Sequence, residues 1–353
     1  MTERTAGEGG RGDAPGEVAR QALGVAYAPH RRLDAGRGPR RLLFRANERA
    51  VVLGYRLAAW LFGRLPVGLT WPVVRGLMLA GYALWPAKRR IILANAAHIL
   101  GRPANDRAVR ILARRIYQTY ARYIVELMRL PSLPEHVPAT LVRADGERGV
   151  DSFAAIWERY RAEGRGLIAV SIHIGSIETL VAAFAARGFP TYGLADDSAY
   201  PELYALLQAQ RRRWGVEVFA WKNMRRVFAV LREPAILGLL VDWGYRRDGI
   251  PVRLFGSWTT LPAGPALLAA RTGAVILPMV CRRGRDGTFE AEHFTPIELA
   301  DDSPAELARA SQAIADAVEA MVAPAPEQWY TFKPIWPPSD AAAGELAGRG
   351  AQT

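Results

Sequence analysis

Cysteine is almost missing from this chain of 353 residues, where Cys281 stands alone. Its isolation excludes an intramolecular disulfide framework and any multi-cysteine metal site, and it suits a reducing compartment. The apolar run Val275 to Val280 leads directly into it, so Cys281 reads as a packed strand-end residue and not as a nucleophile. Met1 to Gly16 offers no apolar block of the kind a secretory signal needs, which argues against export by that route. No zinc-finger spacing or RRM-like signature occurs, and the arginines are not gathered beside base-stacking aromatic pairs, so nucleic acid is not the expected partner. Gly175-Ser176-Ile177-Glu178 lacks the Gly-x-Ser-x-Gly elbow of a serine hydrolase, and Ser171 falls inside a predicted strand. No internal repeat of fixed period is present.

Long uninterrupted apolar runs are missing too. Two apolar, aromatic blocks, Val51 to Phe62 and Val73 to Trp85, are broken by Arg56 and Arg75 and separated by Gly63-Arg64-Leu65-Pro66. Neither supplies the roughly 20 apolar residues of a spanning helix. They suit helices lying in a membrane interface, with Trp60, Trp71 and Trp85 near headgroup depth and Lys88-Arg89-Arg90 meeting anionic phosphates. A buried helical hairpin of the core is an equal reading of these residues.

What the chain has in quantity is apolar content and positive charge. Hydrophobic residues make up 50%, enough for one sizeable core, and 46 Lys+Arg against 34 Asp+Glu give a net charge of +12. Such a surface attracts polyanions, and an anionic membrane fits better than nucleic acid. Residues 1–45 read as a disordered basic tail, 46–130 as a helical membrane-associating segment packed on the core, 131–338 as an α/β core and 339–353 as a flexible tail. Ile91 to Leu100 and Val109 to Leu130 carry apolar positions at helical spacing. From Asp151 onward, strands such as Gly166 to His173, Thr191 to Leu194, Ala235 to Asp242 and Ala274 to Val280 alternate with helices, which predicts a mostly parallel central sheet flanked by helices.

The stretch Leu167 to Glu178 is the most informative. An apolar strand runs out at His173, Gly175 permits a tight turn, and Glu178 falls in the first turn of the next helix. The crevice beyond the carboxyl ends of strands is where α/β sheets bind ligands. Glu178 is expected to orient the imidazole, leaving its other nitrogen to take a proton from an alcohol. Backbone N–H groups at Ser176 and Ile177 are candidate oxyanion donors. A structural histidine bonded to a local carboxylate has the same spacing. Asp242 ends a strand on the same sheet edge and either lines an acceptor pocket or closes a turn. Arg246, Arg247 and Arg253 around that loop are candidate phosphate ligands, or simply a solvated basic loop. Trp329, Tyr330, Phe332 and Trp336 are expected to pack, and His30 and His293 to be background.

These motifs resemble the HtrB/LpxL-like lysophospholipid acyltransferase family, which includes lipid A biosynthesis acyltransferases and the acyltransferase of phosphatidylinositol mannosides. The His-x4-Asp/Glu motif of that family matches His173 to Glu178. Leu239-Leu240-Val241-Asp242, Phe255-Gly256, Pro262-Ala263-Gly264-Pro265, Thr272-Gly273-Ala274, Pro278 and Pro326-Glu327-Gln328-Trp329 follow in the family's order, and Asn95 with His98 matches an Asn-x-x-His element ahead of them. The resemblance implies an α/β O-acyltransferase at the cytoplasmic face of the cell membrane, with His173 and Glu178 as catalytic pair and Gly256 among the substrate-binding residues. It implies acyl-CoA or acyl-carrier protein as co-substrate and no metal or other cofactor. The segment Tyr192 to Ser198 departs from the Tyr-Arg-Pro-like segment of lipid A members, and Leu254 replaces a usual phenylalanine. Both departures point away from lipid A and toward a glycolipid or lysophospholipid acceptor. The competing reading is an inactive membrane lipid-binding or scaffold protein of the same fold, and a lipid esterase ranks third. The residues assign no oligomeric state.

Overall fold

The computed structural model describes residues 39–351 except 144–146, 196–199 and 221–222. The expectation of a disordered tail over 1–38 lies outside the described residues. Residues 39–45, assigned to that tail from the sequence, instead open helix α1 (Pro39–Arg64). Proline at its first position suits a helix start, since the missing N–H would have had no partner there. Next come α2 (Val67–Leu84), α3 (Pro86–Leu100) and α4 (Arg107–Arg129). Asp106 caps α4 by accepting the Ala108 N–H at 2.6 Å, a contact that stabilises a helix by about 1 kcal/mol. The buried stripe of α4 includes Val109, Leu112, Ala113, Ile116 and Val125, and α1, α2 and α3 all pack around it.

Helix α2 is longer than its sequence block because Val67 to Pro72 join it, and it is long and apolar enough to cross a membrane. Most of that helix is uncovered. Leu53, Leu57 and Trp60 on α1, and Leu69, Val73 and Leu77 on α2, repeat at helical spacing and are exposed, as is Trp85. Trp71 departs from its expected interfacial position: it turns inward to pack with Val74 and Val125, with Arg75 and Arg122 over its ring. Lys88 and Arg89 also face the protein. Lys88 donates to the Phe332 carbonyl, and Arg89 to the carbonyls of Tyr82 and Ala83, unsatisfied ends of α2.

The rest of the chain runs α5 (Val137–Leu141), β1 (Val142–Arg143), α6 (Val150–Ala162), β2 (Leu167–Ser171), α7 (Ile177–Ala186), β3 (Thr191–Ala195), α8 (Pro201–Arg212), β4 (Glu217–Ala220), α9 (Met224–Leu231), β5 (Ile236–Leu240), β6 (Ile250–Leu254), β7 (Ser257–Leu261), α10 (Gly264–Thr272), β8 (Val275–Arg283), β9 (Phe289–His293), α11 (Pro304–Val322) and α12 (Asp340–Gly350). Among the described residues, seven strands form one sheet in the order β1-β9-β8-β2-β5-β3-β4, parallel throughout except where β9 meets β8. Both faces are covered, so central β2 is buried at every residue. Ile168, Val170 and Ile172 face one core with α10 and α11, while Leu167 and Ala169 face the other with α6 and α7.

Two elements differ from expectation. Strands β6 and β7 form a separate antiparallel hairpin whose two-residue turn is Phe255-Gly256, both with positive φ (48° and 72°). The tail read as flexible over 339–353 forms α12, because Ser339 caps it through the Ala342 N–H and Leu346 buries against the hairpin side of the molecule. Arg349 fixes it further by donating to the carbonyls of Arg247 and Gly249.

Candidate active site

Beyond Ser171 the chain turns sharply at Gly175, whose φ is +58°. A Cβ there would meet the Cys281 carbonyl oxygen at 1.8 Å, so both the conformation and the space demand glycine. The turn is bolted to its neighbours by the main chain: Gly175 N–H donates to the Gln328 carbonyl, Ser176 N–H to that of Cys281, and Tyr330 N–H to that of His173. His173 is therefore held rigidly at the carboxyl end of β2.

Neighbouring β5 delivers Asp242 to the same edge. The Asp242 side chain is 2% exposed and accepts three hydrogen bonds: from the His173 backbone N–H at 2.9 Å, from His173 Nδ1 at 2.7 Å and from Trp329 Nε1 at 2.9 Å. An ionised carboxylate only accepts, so Nδ1 carries the proton and Nε2 of the neutral ring is basic. The imidazole remains 43% exposed, with Trp243 edge-on at 6.3 Å. Burial is the largest influence on His173 and pushes its pKa down from 6.5, but the Asp242 charge and hydrogen bond outweigh it and the net shift is upward. Burial likewise opposes ionisation of Asp242, yet the His173 charge and the donated hydrogen bonds hold its carboxyl below the ordinary value.

Glu178 does not orient His173. Its carboxylate takes the Arg211 guanidinium, with Nη2 to Oε1 at 2.5 Å and Nε to Oε2 at 3.3 Å, and this ties α7 to α8. Its charge reaches His173 only as the last of the influences on that ring. The expected His173–Glu178 pair is thus corrected to His173–Asp242, because parallel pairing of β2 with β5 places Asp242 closer than the local carboxylate. Ser176 is corrected as well. Its N–H is taken by the Cys281 carbonyl and its hydroxyl lies 2.7 Å from that of Thr179, so it offers no oxyanion donor. Ile177 begins α7, and its side chain lines an apolar cleft.

The three arginines are not gathered as a phosphate clamp. Arg246 is forked onto Asp248 at 3.0 and 2.9 Å, and Arg253 lies over the Trp258 ring and donates to the Gly256 carbonyl. Arg247 and Arg253 are exposed, and the Arg247 carbonyl accepts from Arg349. Gly256 serves the hairpin turn, where left-handed backbone is required. His98 stacks on Trp336 at 4.3 Å with Nδ1 3.1 Å from the Ser257 hydroxyl, and buried Asn95 ties the closing segment through Lys333 and Ile335. His293 pairs with Ser152 at 2.8 Å. Trp329 has a site role that the packing expectation missed. The Pro-Glu-Gln-Trp motif was the only signal for it, since an indole buried this completely needs an acceptor for its N–H.

An apolar cleft opens under α7 beside this edge. Its floor is the face of the sheet that carries Ala169, Ser171, Gly238 and Gly193, its roof includes Leu180 and Phe184, and Glu178 and Arg211 stand in its wall.

An α/β sheet with a carboxylate-oriented histidine at its strand ends and an apolar cleft alongside has the parts of a lipid acyltransferase. The chain belongs to the bacterial lipid A biosynthesis acyltransferase family, whose model matches residues 44–337. It is an O-acyltransferase acting on lipid. A phosphatidylinositol mannoside acyltransferase of Mycolicibacterium smegmatis is 29% identical over 292 residues, 80% of this chain and 90% of the relative. One from Mycobacterium tuberculosis is 28% identical over 250 residues, covering 69% and 75%. A lipid A biosynthesis acyltransferase of Haemophilus influenzae is 27% identical over 176 residues, covering 49% and 54%.

Proposed function

We propose that the protein moves a fatty acyl group from acyl-CoA or acyl-carrier protein to a hydroxyl of a membrane glycolipid or lysophospholipid, at the cytoplasmic face of the cell membrane. The single observation that carries this reading is the 2.7 Å contact of His173 Nδ1 with Asp242, which leaves Nε2 basic on a partly exposed ring. Nε2 takes the acceptor hydroxyl proton as the oxygen attacks the thioester carbonyl. Asp242 stabilises the imidazolium so formed. Collapse of the tetrahedral adduct breaks the C–S bond, and the imidazolium returns its proton to the departing thiolate, giving an ester and a free thiol. The acyl chain has room in the cleft under α7. The mycobacterial relatives named for phosphatidylinositol mannoside favour a glycolipid acceptor. The exposed apolar rows of α1 and α2 and the net charge of +12 support work at an anionic bilayer.

The test is labelled palmitoyl-CoA, or the same acyl group on carrier protein, incubated with the protein and vesicles holding lysophospholipid or mannosylated inositol lipid. Wild-type protein forms acylated lipid, and His173→Ala loses about a hundredfold or more of that rate. A fully active His173→Ala protein overturns the base assignment. Wild-type protein that acylates neither lipid with either donor supports the scaffold reading instead, and release of free fatty acid without an acceptor supports the esterase.

A further inference from the structure

Three residues without bulk sit side by side on the cleft floor. Strand register pairs Ala169 with Gly238, and Gly238 in turn with Gly193, on three adjacent strands. Val218, the register partner of Gly193, continues the row onto edge strand β4. A glycine inside a strand weakens it, and it marks left-handed backbone or the close approach of another group. Neither Gly193 nor Gly238 is among the positive-φ glycines. A Cβ on Gly193 would meet only the Val218 methyls at 3.5 and 3.8 Å, and one on Gly238 only the Tyr192 carbonyl oxygen at 3.5 Å, both ordinary contacts. Within the described residues, neither the backbone nor the packing requires these two glycines, which leaves the cleft above them as the reason.

A second, independent feature gives the cleft a direction. The Ser171 hydroxyl lies in its lining, on a residue only 2% exposed, and finds no hydrogen-bond partner among the described residues. A buried hydroxyl left unpaired is costly, so this one awaits a polar atom from a ligand. It stands two residues before His173, at the reactive end. The cleft therefore takes a molecule with a polar atom at Ser171 and an apolar tail lying across the strands over Ala169, Gly238 and Gly193. From Ser171 on β2 to Val218 on β4 the lining spans three inter-strand spacings of about 4.8 Å, or roughly 14 Å. An extended chain of about twelve carbons has that length, at roughly 1.3 Å per bond of its zigzag.

We propose that Gly193 and Gly238 are the gauge that admits a long acyl chain, with the acyl carbonyl at Ser171 and the chain end against Val218. This rests on the acyl-transfer reading above and adds the residues that set chain length. The test measures kcat/KM with decanoyl-, lauroyl-, palmitoyl- and stearoyl-CoA for Gly193→Val, Gly238→Ala and Val218→Ala, with calorimetric binding of the same thioesters read alongside. In Gly193→Val and Gly238→Ala the ratio of palmitoyl to decanoyl activity falls about tenfold or more, the range that a few methylenes command in an apolar pocket. In Val218→Ala, which only removes atoms, the ratio of palmitoyl to lauroyl rises. Unchanged ratios in the folded variants overturn the gauge while leaving acyl transfer intact. If wild-type protein acylates no lipid, acyl transfer fails by itself, and chain-length preference in binding still decides for or against the gauge. Should Gly193→Val not fold, Gly238→Ala and Val218→Ala carry the same test.

Discussion

Asp242 stands 69 residues from His173 in sequence, yet its two carboxylate oxygens accept both the ring and the backbone N–H of that histidine. One side chain thus fixes the tautomer, the ring plane and the main chain of the residue it serves.

Replacing Asp242 with Asn keeps the shape and removes the charge. The rate is expected to fall about a thousandfold or more, as for a triad whose acid becomes an amide. Asp242 raises the pKa of His173, so its loss moves the acidic limb of the kcat/KM profile to lower pH, while the wild-type limb lies above 6.5. Unshifted limbs in a pH series would contradict the assignment.

Glu178→Gln tests the other carboxylate. It weakens the partly buried tie to Arg211, so thermal unfolding should report a loss of about 1–2 kcal/mol. The acidic limb of the rate profile stays close to wild type, since Glu178 is the least of the influences on His173. A large shift of that limb would restore Glu178 as the orienting group.

Trp329→Phe deletes the indole donor to Asp242 and keeps the packing. Hydrogen bonds to charged groups contribute about 1.5–3 kcal/mol, so kcat should drop roughly tenfold or more while the KM for lipid barely changes. An effect on KM alone, measured over a lipid titration, would make Trp329 a packing residue only.

The exposed rows on α1 and α2 make a fourth prediction. Leu57→Glu with Leu77→Glu should cut cosedimentation with anionic vesicles several-fold, because each charge opposes insertion. Unfolding free energy should stay within about 0.5 kcal/mol per site, as exposed positions allow. Unaltered vesicle binding would rule this face out as the membrane contact.

Periodicity alone made much of the sheet legible. Gly264 to Thr272 matches its helix end to end, and β2, β3, β5 and β8 lie where apolar runs predict them. What the sequence hid was adjacency. Strands β3 and β4 separate β2 from β5 along the chain, yet β2 and β5 are neighbours in space. A linear reading therefore paired His173 with the carboxylate five residues away. Strand β7 went unseen because its hairpin turns on Phe255-Gly256, and a phenylalanine with positive φ carries no local signal. Helix α12 was masked by glycines at 344, 348 and 350, although Ser339 three residues before Ala342 is a readable cap.

The lone cysteine has a use of its own. Cys281 is fully buried inside β8, its carbonyl anchors the turn after His173, and burial pushes its thiol up to about 12. In the folded protein it is shielded from alkylating reagents at neutral pH. Its rate of labelling therefore clocks how often the strand that braces the active site comes apart, a native stopwatch that needs no added probe.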